Sequence, residues 1–334
     1  MSRATDFLLT AEELRLRRQK RRRLTFAVVV LVLLVVLGSF SARPASHAIK
    51  SWQARRHAKK AFGLIEAEKW SDAQKEAIAA YQLRASEPEA IRAVARFLSR
   101  TRQPQALGFW KALREKEPLT RQDSRDEAAV ALSAGETSSA EAAIAILLGK
   151  REGGPAPADW LLAAQLAAQN QAPEKLSEYL EKVISDPKAT ERHVFQASLF
   201  QLAATNSGAT GAREIQTAAW TRLTKMARGK NDVALDALTI LAQHALSSPN
   251  EIVSDPAIMP ETELIHALET HPLSRAAQKL LAIDLRVRLD PDQKENLITQ
   301  AATAWGKSDN ESLAVLARWI NGKGEYQRGL DTIP

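Results

Sequence analysis

The chain of 334 residues carries six histidines (His47, His57, His193, His244, His266 and His271) and no cysteine. Without cysteine there are no disulfides, no thiolate nucleophile and no cysteine-bound metal or cluster. His266 and His271 are five apart, which puts their rings on different faces of a helix, whereas metal-binding helices place ligands four apart. His244 follows Ile240 by four near a predicted helix C-terminus, where a packed or helix-capping imidazole is the ordinary role. Ser185-Asp186-Pro187-Lys188 has the Ser-x-x-Lys spacing of a serine nucleophile and its lysine, but the companion motifs of that chemistry are missing. Gly208-Ala209-Thr210-Gly211 lacks the Lys-Ser/Thr of a phosphate loop and reads as a connection between helices. The expectation is no catalytic residue, no metal, no cofactor, and hence not an enzyme. One constellation could bind. Arg92, Arg96 and Arg100 recur every four residues on one helix face, and three guanidinium groups could hold an acidic peptide or a carboxylate terminus. The same spacing also suits an ordinary solvated face. Trp110 and Trp160 read as core aromatics rather than ligand cages.

The charge is local. Residues 1–60 hold 14 Lys and Arg against 3 Asp and Glu, a net +11, while the remaining residues sum to −4 of the overall +7. A nucleic-acid-binding domain carries positive charge on its folded body, so no nucleic-acid partner is expected. Beside the basic segment lies Leu24–Phe40, LTFAVVVLVLLVVLGSF, which contains no charged side chain. As a helix it is roughly 25 Å long at ~1.5 Å per residue, the short end of a bilayer span. Arg15, Arg17, Arg18, Lys20, Arg21, Arg22 and Arg23 precede it, and only Arg43 follows before Lys50. The positive-inside rule then predicts a cytoplasmic tail over 1–23, a signal anchor over 24–42, and a body on the far side of a bacterial inner membrane, in the periplasm. Arg55, Arg56, Lys59 and Lys60 work against that asymmetry. A cleaved signal peptide ending near Ser46-His47-Ala48 and a buried helix are the competing readings of the apolar run.

From Ser51 onward no strand alternation is visible. Pro88, Pro104 and Pro118 are matched by Pro157, Pro173 and Pro187 at one constant offset, with steps of 16 and then 14 inside each set. That pattern predicts a helix, a break, a second helix and another break. Two units of about 34 residues fill the offset, a period that marks a solenoid. Leu176, Tyr179, Leu180, Val183 and Ile184 fall on one helical stripe, as do Leu162 and Leu166; Ala93, Phe97, Leu107 and Trp110 are the earlier counterparts. Ala73, Ala106 and Ala140 recur at steps of one unit. Ser71, Ser138 and Ser308, each with Glu or Gln three residues on, read as capping boxes. Asp290-Pro291 reads as a capping acid before a first-turn proline, and Gly153-Gly154-Pro155 as a break between units.

These residues resemble the tetratricopeptide repeat family. The best-fitting stretch is Glu89 to Pro118, with Val94, Phe97, Ala106, Trp110 and Leu113. Ala128, Ala140, Ile144 and Leu147 follow in the next unit, and Leu316, Ala317, Ile320, Gly324-Glu325-Tyr326 and Gly329 in the last. Val94 and Lys175 depart from the family's small residues, and Ala212–Thr270 lacks a clean register. The resemblance implies an all-α fold over 43–334, an α-solenoid of antiparallel helix pairs behind one transmembrane helix. It implies a concave face, lined by first helices and so by Arg92, Arg96 and Arg100, that binds a protein or peptide partner. The last unit breaks off early, which predicts an incomplete repeat domain able to self-associate through its uncapped end. The expected function is a membrane-anchored scaffold for protein interaction or complex assembly. The alternative is the non-catalytic solenoid portion of a larger enzyme or envelope-assembly machine.

Overall fold

A computed structural model of the chain describes residues 47–149, 154–205, 212–247 and 257–331, all of them helix or connection and none strand. The basic tail and the apolar run Leu24–Phe40 lie outside the described residues. No helix among the described residues is long and apolar enough to cross a membrane. The chain divides into two compact units, one ending at Glu136 and the other beginning at Thr137.

The first unit runs α1 (47–66), α2 (Trp70–Leu83), α3 (Pro88–Arg100), α4 (Ala106–Arg114) and α5 (Arg121–Ala134). Proline starts α3 at the position where its missing N–H costs nothing. The helices α2 to α5 pack on their sequence neighbours, and α3 also packs on α5. The interfaces are built from small residues: Ala58, Ala61, Ala73, Ala77, Ala80, Ala90 and Ala93 join Ile65 and Phe97 in one cluster. Trp110 is fully buried with Leu113, Ala106 and Ile91. Its indole N–H donates to Ser99 Oγ at 2.8 Å.

The second unit runs α6 (Thr137–Leu148), α7 (Pro157–Gln169), α8 (Pro173–Ser185), α9 (Glu191–Thr205), α10 (Ala212–Ala227), α11 (Asp232–Ser247), α12 (Glu261–Thr270), α13 (Ala276–Leu289), α14 (Lys294–Trp305), α15 (Asn310–Gly322) and α16 (Tyr326–Asp331). Each odd-numbered helix from α7 packs on the even one that follows it, and α7, α9, α11, α13 and α15 pack on one another in series. That connectivity, with some pairs joined by only a few residues, is the helix-pair packing of an α-solenoid. Pairs so closely joined must run antiparallel.

Along the sequence, the odd-numbered helices from α3 begin at Pro88, Arg121, Pro157, Glu191, Asp232, Ala276 and Asn310, so the numbering advances by 33, 36, 34, 41, 44 and 34. The proline period is thus the helix period. The stretch without sequence register, Ala212–Thr270, is where the steps lengthen: α9 and α10 have 15 and 16 residues, and thirteen residues separate the end of α11 from the start of α12. It nonetheless holds most of the largest apolar cluster described, including Leu223, Leu238, Leu241, Leu264 and Leu268.

A second repeat lies in the backbone. Glu68, Arg102, Gly135, Gln171 and Gly324 have φ between 53° and 83°. Each closes an odd-numbered helix. The next residue's N–H reaches back five positions, from Lys69 to Leu64, Gln103 to Leu98, Glu136 to Ala131, Ala172 to Ala167 and Glu325 to Ile320. This is the Schellman closure, normally made with glycine because other residues resist positive φ. Here three of the five are not glycine.

Several local expectations need correction. Ser71 and Ser138 sit inside α2 and α6 rather than capping them. Asp309, not Ser308, caps α15, accepting from Ser312 N at 2.9 Å. Asp290 makes no side-chain cap; Pro291–Gln293 forms a 3₁₀ turn before α14. A complete capping box, Thr120 with Asp123, starts α5. On α7 the buried stripe is Leu161, Ala164 and Ala167, with Leu162 and Leu166 only half-buried. The expected stripe on α8 holds: Leu176, Leu180 and Val183 are buried, with Tyr179 and Ile184 packed against them.

Candidate functional site

Arg92, Arg96 and Arg100 share one face of α3, and that face meets the start of α5. The capping box positions the acceptors: Thr120 Oγ1 accepts from Asp123 N at 3.2 Å, and Thr120 N donates to Asp123 Oδ2 at 3.1 Å. Asp123 is completely buried. Arg92 Nε donates to its Oδ2 at 3.0 Å and Arg96 Nη2 to its Oδ1 at 2.9 Å. One turn on, Asp126 Oδ1 accepts from Arg100 Nε at 3.1 Å, and Arg96 Nε lies 3.2 Å from Asp126 Oδ2, in ion-pair range but without hydrogen-bond alignment. Arg92 also donates to Glu117. Phe62 of α1 lies beneath Arg96, 4.9 Å from ring centre to guanidinium. Beside this ladder, Arg114 Nη2 donates to both oxygens of the buried Glu127 at 2.5 Å.

The carboxylates feel opposing forces. Burial pushes Asp123 up, but Thr120 and Arg92 outweigh it and hold the group below its ordinary value. Burial dominates at Asp126 and Glu127, which sit above their ordinary values despite Arg100 and Arg96 at the first and Arg114 at the second. The arginines picked out by the sequence therefore weld α3 to α5. An acidic ligand on this face would have to compete with Asp123 and Asp126, which the helix already holds in place. A signal for this existed: the acids stand three apart, and each follows an arginine of the stripe by about one repeat.

The second unit contains a different recess. The N-terminal ends of α13 and α15, the first turn of α11 and the end of α14 border an open groove of about 840 Å³. Leu235, Leu273, Trp305 and Val315 supply its apolar wall, and Arg275, Lys279, Asp309 and Glu311 its charges. Leu273 is 47% exposed. Arg275 and Glu311 are both largely exposed and stand 3.7 Å apart across the groove. Hydrogen bonds from the Ser312 backbone and hydroxyl hold Asp309 below its ordinary value. α13 and α15 are tied deeper in: Asp284 Oδ1 accepts from Trp319 Nε1 at 2.9 Å and pairs with Lys323 at 2.7 Å. Sequence reasoning missed this groove because it is made by three helix starts that lie at least one repeat apart along the chain.

The remaining motifs are placed as follows. His266 lies on α12 and His271 just beyond it, where its Nδ1 accepts from Leu273 N at 3.2 Å and burial lowers its pKa. His244 stacks on Trp220 with ring centres 4.3 Å apart. Ser185 donates to the Glu181 carbonyl at 2.8 Å, a bond within the last turn of α8. Trp160 stacks on Tyr179, with Lys182 Nζ 4.4 Å from its ring centre. Gly208–Gly211 falls outside the described residues. Among the described residues no group of three His, Asp or Glu is placed to hold a metal ion. No protein-family model matches the chain, and no curated protein matches it.

Proposed function

We propose that this is a membrane-anchored, tetratricopeptide-like scaffold that binds a protein segment along its first helices. The observation that carries the reading is the series contact of α11, α13 and α15 around the groove of about 840 Å³. Its mixture of an apolar wall with charges of both signs suits an extended or helical peptide, with apolar side chains against Leu273 and Val315 and polar ones paired at the rim. The apolar run Leu24–Phe40 would hold the scaffold to the bilayer, with residues 1–23 in the cytoplasm and the body in the periplasm.

A photo-crosslinking residue at Lys279 or Glu311, introduced into the full chain in native membranes, tests this. A discrete protein adduct is expected, lost when Leu273→Asp is added. Adducts indifferent to Leu273→Asp, or none at native abundance, would refute the groove as a binding site. Protease protection in intact against opened cells tests sidedness. The alternative, a solenoid portion of a larger enzyme or assembly machine, requires a catalytic protein in the same adduct.

A further inference from the structure

The start of α1 has two faces. Ser51, Ala54, Ala58, Ala61 and Ile65, at helical steps of three and four, are buried against the unit. On the opposite side Ile49 is 57% and Trp52 61% exposed, and Arg56, Lys59 and Lys60 continue the same exposed stripe. Large apolar side chains kept in water beside a row of cations have a specific use. Tryptophan settles at the boundary between lipid and water, and basic side chains pair with anionic headgroups. Arg56 already sits over the Trp52 ring, 5.8 Å from its centre, so the two side chains form a single amphipathic element. Ile49 follows Phe40, the end of the apolar run, by only nine positions. Fully extended, that length of chain reaches about 30 Å, so a bilayer holding the apolar run lies within reach of this face.

We infer that the exposed stripe of α1 lies on an anionic phospholipid surface, with Ile49 and Trp52 in the interfacial layer and Arg56 and Lys59 on the headgroups. This rests on the membrane-anchor reading above. It gives a use to Arg56 and Lys59, whereas Arg55 and Lys60 of the same basic cluster pair with Glu87 and Glu76. Arg56 and Lys59 would then orient the folded body on the membrane it is tied to, rather than report topology.

The absence of native cysteine allows one label per molecule. Full-length Gln53→Cys, bearing an environment-sensitive fluorophore, is reconstituted into vesicles of phosphatidylcholine alone or mixed with phosphatidylglycerol, and Leu289→Cys serves as an exposed reference. Flotation of the vesicles reads the anchor; quenching by headgroup-proximal spin-labelled lipid reads surface contact. Strong quenching at position 53 but not 289, only in the anionic vesicles and relieved by high salt, is expected. Arg56→Gln with Lys59→Gln should lower the bound-to-free ratio about thirtyfold, at about fivefold per basic residue. A chain that floats but shows no quenching at position 53 overturns this inference and leaves the anchor standing. Failure to float overturns both. Disulfide pairing of two unlabelled copies through the introduced thiol in the membrane would give the face to self-association and overturn the inference as well.

Discussion

Removing one carboxylate should uncouple α5 from α3. Asp123→Ala deletes the acceptor for Arg92 and Arg96 and half of the capping box of α5. Loss of a cap alone costs about 1 kcal/mol. Stripping one partner from a buried ion pair costs about 3–5 kcal/mol, because the opposing charge stays desolvated. Arg92 and Arg96 are 13% and 14% exposed, so they cannot swing fully into water without breaking their packing. Their remaining contacts to Glu117 and Asp126 soften the loss, which we place at about 3–4 kcal/mol. Thr120→Ala removes only the hydroxyl half of the cap and should cost about 1 kcal/mol. Thermal or urea unfolding of the full chain gives the totals, and amide exchange resolved along the sequence locates them. Protection should fall first in α3 and α5. If Asp123→Ala costs no more than Thr120→Ala, or if exchange rises evenly along the chain, the ion-pair ladder does not couple these helices and the reasoning fails.

Trp110→Phe should cost about 1 kcal/mol for the lost bond to Ser99, and Trp110→Ala about 3–5 kcal/mol, read by the same melts. The left-handed closures should respond with opposite signs. Gly135→Ala, with open space around the new methyl group, should cost about 1 kcal/mol from backbone conformation alone, while Arg102→Gly or Gln171→Gly should lower unfolding rates by relieving about the same strain. The pH dependence follows from the signs at α5. Asp126 and Glu127, held above their ordinary values, take up protons in the folded state before the unfolded one, so stability should rise as pH falls from neutral through their folded values. Asp123, held below its ordinary value, then removes stability as the pH drops further, through its folded value. Asp126→Asn should flatten the first limb and leave the second, as followed by urea melts across the acid range.

Proline made the repeat legible. Pro88, Pro157 and Pro173 each open a helix, because their ring excludes helix continuation behind them and fits the first turn ahead. Alanine concealed the phase within helices. In α7 nearly every position is apolar or small, so Leu162 and Leu166 looked as plausible a core stripe as Leu161, Ala164 and Ala167, and only the close approach of α8 and α9 selects the latter. The arginine stripe was legible as a feature but not in its role. Its partners lie one repeat away, and a charge pattern on one helix does not say whether water, a ligand or a neighbouring carboxylate will answer it. The closures at Glu68, Arg102 and Gln171 carry no glycine, so nothing in their residue types announces a left-handed turn.

Those closures have a consequence for how such a chain can change length. Equivalent joints at 68, 102, 135 and 171 share one local backbone conformation, held by the same five-position return bond. Joining one joint directly to the next therefore adds or removes one hairpin without asking any torsion to change. Gene duplications and deletions with endpoints at these positions would meet the least resistance, so the chain can gain or lose whole hairpins more easily than single residues.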